Sequence, residues 1–344
     1  MANVLDLRRR IRSVQNTRQI TKAMKMVSAA KLRRAQEHAL AARPYAQMLT
    51  NVLKSLVSHA EIYDPVTGEP RHPLLVRREE RNVLLIVVSG DKGFAGAFNA
   101  NVLKATTRFL ESKAGKNIDI EVIGRKGRDF LRRRYPAAQE PQARNAPVEI
   151  TGEHVGILAR LNFGHAQDIA EYVVERYSAG EIDSAYLVYN EFKSVIAQRL
   201  VVDEILPIAQ IGAADIKQAE EMTLEERKHA AQVAGSAGVS YRAPDTQEID
   251  TRAAAFATRD VDYIYEQPAD EIFDDLLPRY LSIVIYRALL ESGAAEHAAR
   301  MTAMDSATDN ASDMIDALTL TMNRVRQASI TKEIIEIVSG AAAL

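Results

Sequence analysis

Three glycines follow an apolar segment at a spacing that could bring backbone amides close to an anion. Gly90, Gly93 and Gly96 stand in the order G-x-x-G-x-x-G directly after residues 82–89, a nearly continuous apolar run. Glycines at the end of a strand let a phosphate approach the backbone. The spacing lacks the G-x-G opening of a dinucleotide site and the G-K-[ST] ending of a P-loop. The pattern leaves two interpretations, an anion site or a tight strand-to-helix turn, and favours the turn.

Outside this turn, the residue types form no set that is typical of a catalytic or metal-binding site. The chain has no cysteine, which excludes disulfides, thiolate metal sites and a cysteine nucleophile. Its seven histidines lack metal-ligand spacing on a common helix face. Neighbouring carboxylates such as Glu220 and Glu221 lie in a polar stretch and are typical of solvated surface. We therefore expect no catalytic residue, no cofactor and no metal.

A long helical segment at the C-terminal end must help to position the middle of the chain. Residues 281–339 contain no proline, and a seam recurs there at steps of three and four. This seam comprises Met301, Met304, Thr308, Ala311, Ile315, Leu318, Met322, Val325 and Ser329. A helix of about 60 residues is on the order of 90 Å long, too long for an ordinary globular domain.

The N-terminal end carries a second helical segment, because residues 2–43 contain neither glycine nor proline. Its seam starts at Val4, Leu7, Ile11 and Val14, and a later series lies at Tyr45, Leu49, Val52 and Leu56. Between them the series breaks at Arg18 and resumes one position off at Ile20, Met24 and Val27, which predicts a local change of supercoil. Pro44 either kinks the helix or begins a second segment. The two terminal helices can bury their seams against each other as an antiparallel coiled coil.

Between the two helices the pattern changes to alternating strands and helices. The expected strands are residues 82–89, 118–123, 148–150, 185–189 and 200–208, and the expected helices are residues 99–113, 126–135 and 165–177. The first strand is apolar throughout, as in a parallel sheet that is covered on both faces. The sequence thus predicts an α/β fold, with a Rossmann-like central domain inserted between the arms of a long antiparallel coiled coil.

The net charge of −2 hides a strongly basic N-terminal helix. The first 34 residues hold ten cations against the single acid Asp6. Such a helix either is a solvated face or binds an acidic partner, such as nucleic acid, anionic lipid or an acidic protein loop. Mutual repulsion of these cations favours an acidic partner. An Arg-rich start also suits a mitochondrial transit peptide, but here the pattern continues without a break into a longer helix.

Motifs at both ends and in the middle carry a resemblance to one family. They are residues 11–28 (IRSVQNTRQITKAMKMVS), 43–45 (RPY), 89–99 (SGDKGFAGAFN), 299–304 (ARMTAM), 307–310 (ATDN) and 326–340 (RQASITKEIIEIVSG). In this order they closely resemble the gamma subunit of the rotary F-type ATP synthase. The resemblance covers nearly the whole chain.

The resemblance implies a non-catalytic central rotor shaft within a proton-transporting two-sector ATPase. The shaft couples proton flow through the membrane ring to ATP synthesis and regulates ATPase activity. Its implied partners are three alpha and three beta subunits, the epsilon subunit and the proteolipid c ring, with no nucleic acid. The implied location is peripheral, on the cytoplasmic side of the bacterial plasma membrane. The resemblance also implies a shaft tip that turns inside a sleeve without strong directional bonds. Residues 337–344 suit such a tip, because they carry no side-chain charge.

By similarity, two sets of residues contact the surrounding subunits. The rotor–stator coupling contacts would be Met24, Arg300, Arg326, Gln327, Thr331 and Glu333. The basic helix would face the beta subunits through Arg8, Arg9, Arg10, Arg12, Arg33 and Arg34. The alternative role for each coupling residue is simple packing between helices or a local ion pair.

The expected organisation has four parts. Residues 1–60 form the N-terminal coiled-coil helix, 75–208 the central α/β domain, 209–262 a polar insertion and 270–344 the C-terminal coiled-coil helix. The insertion lies where chloroplast-type relatives carry a regulatory insert, and without cysteine it is not a dithiol switch. It is expected to be either a mechanical brake on ATP hydrolysis or an inert polar loop. Phe94 and Ala95 replace the Leu and Cys that are frequent in relatives, which should affect packing only.

Two other classes of function fit parts of the sequence. A nucleic-acid-binding coiled coil accounts for the basic helix but not for the uncharged C-terminal end. A nucleotide-dependent α/β enzyme accounts for the central domain, although the sequence offers no phosphate motif or catalytic group. Neither class accounts for both ends of the chain.

Overall fold

Two helices from the ends of the chain are the longest elements of the fold. A computed structural model describes residues 3–59, 70–138, 144, 146–208, 211, 214–240 and 269–342. Helix α1 (Val4–His59) has 56 residues and helix α6 (Ala269–Ala342) has 74, so α6 is about 110 Å long. Pro44 lies inside α1 and Pro278 inside α6, and neither ends its helix. The predicted second segment after Pro44 is therefore absent.

The two helices run antiparallel, and the contacts between them fix their register. Thr21 Oγ1 lies 2.7 Å from Thr308 Oγ1, and Lys25 forms an ion pair with Asp305. A later residue of α1 thus contacts an earlier residue of α6, as in an antiparallel pair. On α6 the predicted seam is buried at Met301, Met304, Ala311 and Ile315. It becomes half-buried at Leu318, Met322 and Val325 and is exposed at Ser329. The antiparallel coiled coil is confirmed.

The predicted break in the α1 seam is wrong. Ile20 is 59% exposed and Val27 is 56% exposed, so neither belongs to the seam. The first register instead continues through Arg18 to Thr21, Lys25, Ser28 and Leu32, in steps of three and four. Polar side chains occupy these seam positions because Thr308 and Asp305 face two of them across the helix pair. Further down α1, Leu49, Leu53 and Leu56 are buried, whereas Tyr45 is 55% exposed and was wrongly assigned to the seam.

The central domain is a six-stranded mixed sheet with helices on both faces. Its strands are β1 (Asn82–Val88), β2 (Asn117–Ile123), β3 (Val148–His154), β4 (Ser184–Ser194), β5 (Ala197–Leu206) and β6 (Asp215–Glu221). The order is β3-β2-β1-β4-β5-β6, in which the first four strands are parallel and β5 and β6 are antiparallel additions. The Rossmann-like prediction is confirmed for the parallel part.

The helices of the domain are α2 (Phe98–Ser112), α3 (Arg125–Leu131), α4 (Phe163–Ser178) and α5 (Leu224–Ser236). Strand β1 shows how they cover the sheet, because alternate residues point to opposite faces. Val83, Leu85 and Val87 pack in the cluster that includes α2. Leu84, Ile86 and Val88 pack in the cluster that includes α4 and α6. The C-terminal helix is thus itself one of the covering helices, which joins the coiled coil rigidly to the domain.

The segment that follows Leu206 is part of the fold where it is described. Strand β6 pairs with β5 at the edge of the sheet, and helix α5 buries Ala230, Val233 and Ala234. Residues 215–240 therefore contribute a strand and a helix that pack on the domain, and the insertion of residues 209–262 stays a prediction. Small apolar residues at helical spacing carry this packing, and the acids around them concealed it in the sequence. Residues 241–262 of the predicted insertion lie outside the described residues.

Candidate functional site

The glycine turn after β1 is held by hydrogen bonds from its own neighbours. Ser89 Oγ donates to the Ile123 carbonyl at 2.9 Å and accepts from the Gly127 amide at 2.8 Å, which ties the turn to β2 and α3. Gly90 N donates to Asn99 Oδ1 at 2.9 Å. The Gly90 amide, which a phosphate-binding loop would leave free for its ligand, is thus already bonded within the turn. The turn is organised for packing.

Helix α6 fills the crevice where an open α/β sheet usually binds ligands. Such crevices lie at the carboxyl ends of the strands where the strand order reverses, here between β1 and β4. A Cβ on Gly90 would lie 2.9 Å from the carboxyl carbon of Glu296, so a side chain there would have to displace Glu296. Arg300 Nε donates to the Gly93 carbonyl at 3.4 Å. Because a carboxylate lies against the first glycine, the anion-site interpretation is wrong and the tight-turn interpretation is confirmed.

The charged side chains at this contact pair with each other within the chain. Arg300 is 9% exposed and pairs with Glu296 one turn earlier on α6. Burial, together with Arg300 and Lys31, lowers the pKa of His297 to about 4, so that its ring is neutral at pH 7. The structure thus places Arg300 against the turn of its own chain. Its expected contact with another subunit stays a prediction.

A mixed apolar and basic face of α1 is open to solvent. Ile20, Met26 and Val27 are each more than half exposed. All six predicted basic contacts are exposed as well: Arg8, Arg9, Arg10, Arg12, Arg33 and Arg34. Arg9 lies 3.8 Å from Asp6, and Arg33 Nη2 donates to the Gly238 carbonyl at 2.7 Å. Within the described residues, no acid pairs with the other four arginines. Met24 is half-buried beside this face.

The last part of α6 extends past the start of α1 and is exposed on all sides. The predicted contacts Arg326, Gln327, Thr331 and Glu333 lie on this part, and all are exposed. Large apolar side chains are exposed there too: Ile330, Ile334, Ile335, Ile337 and Val338. A monomeric protein rarely exposes so many large apolar residues together. The surface therefore indicates a binding partner that surrounds the helix.

A cavity of about 450 Å³ lies between β5, β6 and α6 and contains an unusual carboxylate. Asp203 is 4% exposed, and its Oδ1 has no hydrogen-bond partner in the described part of the chain. Burial, followed by the nearby Asp215 carboxylate, raises the pKa of Asp203 to about 6. Arg287 of α6 faces the same cavity and lowers that pKa. No sequence pattern indicates this group, because its burial depends on the position of α6.

Metal sites and membrane-spanning helices would indicate other classes of function. No group of three or more histidine, aspartate or glutamate side chains could hold a metal ion in the described ranges of the chain. Within the same ranges, no helix has the length and hydropathy to cross a bilayer.

Comparison with known proteins covers the whole chain. A family profile described as "ATP synthase" matches residues 3–344. The ATP synthase gamma chain of Solibacter usitatus is 48% identical over 343 residues, which span 100% of this chain and 99% of the relative. The ATP synthase gamma chain of Pelotomaculum thermopropionicum is 43% identical over 345 residues, which span 100% of this chain and 100% of the relative.

The chain belongs to the ATP synthase gamma chain family.

Gamma chains are components of the ATP synthase complex, and the fold of this chain is also that of solved ATP synthase structures. A Tetrahymena thermophila mitochondrial ATP synthase structure, titled central stalk and c-ring, contains a chain with a TM-score of 0.51 and 23% identity. The match covers 84% of this chain and 99% of that one. A Euglena gracilis mitochondrial ATP synthase structure matches with a TM-score of 0.55 and 17% identity, over 99% and 94% of the two chains.

Proposed function

We propose that this chain is the non-catalytic rotor shaft of an F-type ATP synthase and couples proton flow to ATP synthesis. The observation that carries the proposal is the coiled coil, in which one helix extends beyond the other with exposed apolar side chains all round. A shaft that turns inside a sleeve needs a surface of this kind, with few directional bonds. Family membership supports the same role.

The partners follow from this role. The tip of α6 would lie within three alpha and three beta subunits, and the central domain would rest on the c ring beside the epsilon subunit. The solved structures with this fold are titled as a central stalk with a c-ring and as F1 with a c-ring. We place the chain peripherally, on the cytoplasmic side of a bacterial plasma membrane. Catalysis belongs to the surrounding subunits in this proposal.

The exposed face of α1 supplies a physical basis for coupling. A shaft biases a catalytic subunit only if it contacts that subunit's open and closed states with different free energies. The arginines without an acidic partner would attract acidic loops of the beta subunits, and the exposed apolar residues Ile20 and Val27 would add contact area. Because these groups lie on one side of the helix pair, the attraction would change as the shaft turns.

The composition of the purified assembly tests the proposal. A tagged chain should be purified gently from its native cell, and the copies of each co-purifying subunit counted. We expect one copy with three alpha and three beta subunits, with ATPase activity in the assembly and none in the isolated chain. A dimer of this chain alone, or a complex with nucleic acid, would contradict the proposal.

Met24 allows a test of the coupling surface. We expect Met24→Lys to loosen coupling, because it adds a cation beside a helix that is already basic. ATP-driven proton pumping should fall relative to ATP hydrolysis in membranes that carry the variant. Met48→Lys is the control, since Met48 is 38% exposed on the same helix but lies well beyond Arg34, the last of the predicted basic contacts. Unchanged pumping in Met24→Lys counts against this coupling surface.

A further inference from the structure

The α1 side of the coiled-coil seam is polar near the point where the coiled coil leaves the domain. Thr21, Lys25 and Ser28 occupy consecutive seam positions of α1, where a coiled coil ordinarily places apolar residues. Ser28 Oγ donates to the carbonyl of Met24 in its own helix, at 2.8 Å, and so adds no bond across the pair. Across the pair, these α1 positions make one hydroxyl pair and one ion pair, and the apolar side of the seam here is contributed by Met301 and Met304 of α6.

Helix α5 adds a third helix beside this stretch. Its residues Ala230, Val233 and Ala234 are at most 2% exposed. They pack in one cluster with Ala29 and Leu32 of α1 and with members of α6: Ala294, Ala295, Ala298 and Met301. Helix α5 therefore adds apolar contact to the helix pair directly beside the polar stretch, at Ala29 and Leu32 of α1.

Polar contacts fasten α5 to both shaft helices. Lys25 Nζ donates to Ser236 Oγ of α5 at 2.9 Å and also pairs with Asp305 of α6, so a single side chain joins three helices. Just beyond α5, the Gly238 carbonyl accepts from Arg33 Nη2 at 2.7 Å. The Lys25 and Asp305 side chains are only 12% and 19% exposed, which protects this ion pair from solvent.

The other end of α5 is anchored in the domain. Thr223 caps the helix through a capping box with Glu226, in which Glu226 Oε2 accepts from Thr223 N at 2.8 Å. Two residues earlier the chain is strand β6, which is paired to β5 in the sheet. A helix that is fixed at one end to the sheet, and that packs through its second half mainly against α6, is placed to transmit force between the sheet and the coiled coil.

We propose that α5 is a latch that holds α1 in register against α6 where the coiled coil leaves the domain. Without the latch, the polar stretch of the seam opens locally, and twist is lost between the domain and the extended shaft. The consequence for twist rests on the proposed function as a rotor. The effect on the local stability of the seam does not.

Hydrogen exchange in the full-length chain tests the latch directly. Val233→Asp places a charge at a position that is 1% exposed and should release α5, whereas Leu224→Asp makes the same kind of change at a position that is 68% exposed. We expect amide exchange of residues 21–33 to rise about tenfold or more in Val233→Asp, with residues 4–14 unchanged and Leu224→Asp like the parent. Fast exchange of α5 with unchanged exchange of residues 21–33 overturns the proposal.

A milder pair of variants keeps the test decisive if Val233→Asp does not fold. Lys25→Gln removes the ion pair that links the three helices without adding an apolar residue to the seam, and Ser236→Ala removes only the hydrogen bond to α5. Exchange of residues 21–33 should rise in both variants, and more in Lys25→Gln. If the exchange of residues 21–33 rises in neither variant, the proposal is overturned.

The rotary consequence has its own readout. In the purified complex, a bead attached to the central domain should show about twofold wider angular fluctuations in Ser236→Ala than in the parent. Wider fluctuations support the latch as a stiffening element. Faster exchange in the isolated chain together with unchanged fluctuations overturns the stiffening role, while the subunit count described above tests the rotor assignment independently.

Discussion

Replacement of Asp203 by asparagine should stabilise the chain at neutral pH. The carboxylate is 4% exposed, its Oδ1 has no partner within the described ranges, and burial raises its pKa from 3.8 to about 6. At ~1.4 kcal/mol for each pKa unit, the ionised group costs the folded state up to about 3 kcal/mol at pH 7.5. Asparagine has nearly the same shape and no charge, so Asp203→Asn should recover most of this free energy.

The pH dependence of the stabilisation follows from the direction of the shift. Because the pKa is higher in the folded chain than in the unfolded chain, the cost is fully present above about pH 6. It disappears as the pH falls through 6 towards 3.8, where both states become protonated. The difference in unfolding free energy between Asp203→Asn and the parent should therefore be largest at pH 7.5 and close to zero near pH 4.

Urea unfolding of the full chain, followed by circular dichroism at several pH values, measures this difference. Asp313→Asn is a suitable control, because Asp313 is an exposed aspartate on α6 and the same substitution there should leave stability unchanged. A variant that is less stable than the parent at pH 7.5, or a difference that does not shrink between pH 7.5 and pH 4, would refute the reasoning. Either result would mean that the Asp203 carboxylate is well solvated or paired in the folded chain.

Three further predictions concern the turn, the ion pair beside it and the start of the sheet. Gly90→Ala should destabilise the chain by about 1–3 kcal/mol, because the new methyl group would meet Glu296, whereas Gly235→Ala, which meets nothing within 4 Å, should be neutral or slightly stabilising; equal urea midpoints for the two would contradict this. Arg300→Met should cost about 3–5 kcal/mol by leaving the Glu296 charge buried and unpaired, and adding Glu296→Gln should restore most of that stability. A double variant as unstable as the single one would show that the unpaired charge is not the cause. Burial by itself raises the pKa of Glu80, but hydrogen bonds from Lys113 and its neighbours lower it to about 2. Since the folded pKa is depressed, Glu80 stabilises the chain above pH 4.5 and this contribution is lost as the pH falls towards 2, so Glu80→Gln should lose roughly 2–3 kcal/mol at pH 7 and little near pH 2. An equal difference in unfolding free energy between the parent and Glu80→Gln at both pH values would contradict this prediction.

The long helices and the parallel strands could be predicted because their signals are local. A seam at steps of three and four, without proline, requires a helix whatever packs on it. The apolar run of residues 82–89 likewise requires a strand that is buried on both faces. The motifs at both ends of the chain also indicated the family. These features depend on neighbours within a few residues along the chain, so the sequence alone could settle them.

The candidate site depended on residues that are distant in sequence. Arg300 was expected on a contact surface, yet it is buried against Gly93, which lies 207 positions away along the chain. The same contact explains why the glycine turn binds no anion, since Glu296 already lies against Gly90. Spacing within the turn gave no information about the helix that fills the crevice. The chemistry of the turn was therefore decided by where α6 docks.

The sequence by itself determined the two terminal helices, the α/β domain between them and the family. The tertiary structure decided the α1 register, the packing of α5 and the burial of Asp203. The physical reason is that polar residues enter a seam only when a partner is supplied across it, as Asp305 supplies one for Lys25 from 280 positions away. An apolar series at Ile20 and Val27 satisfied the local pattern equally well, but those side chains remain exposed. Local periodicity fixes an element, and only the packed chain fixes which face of that element is buried.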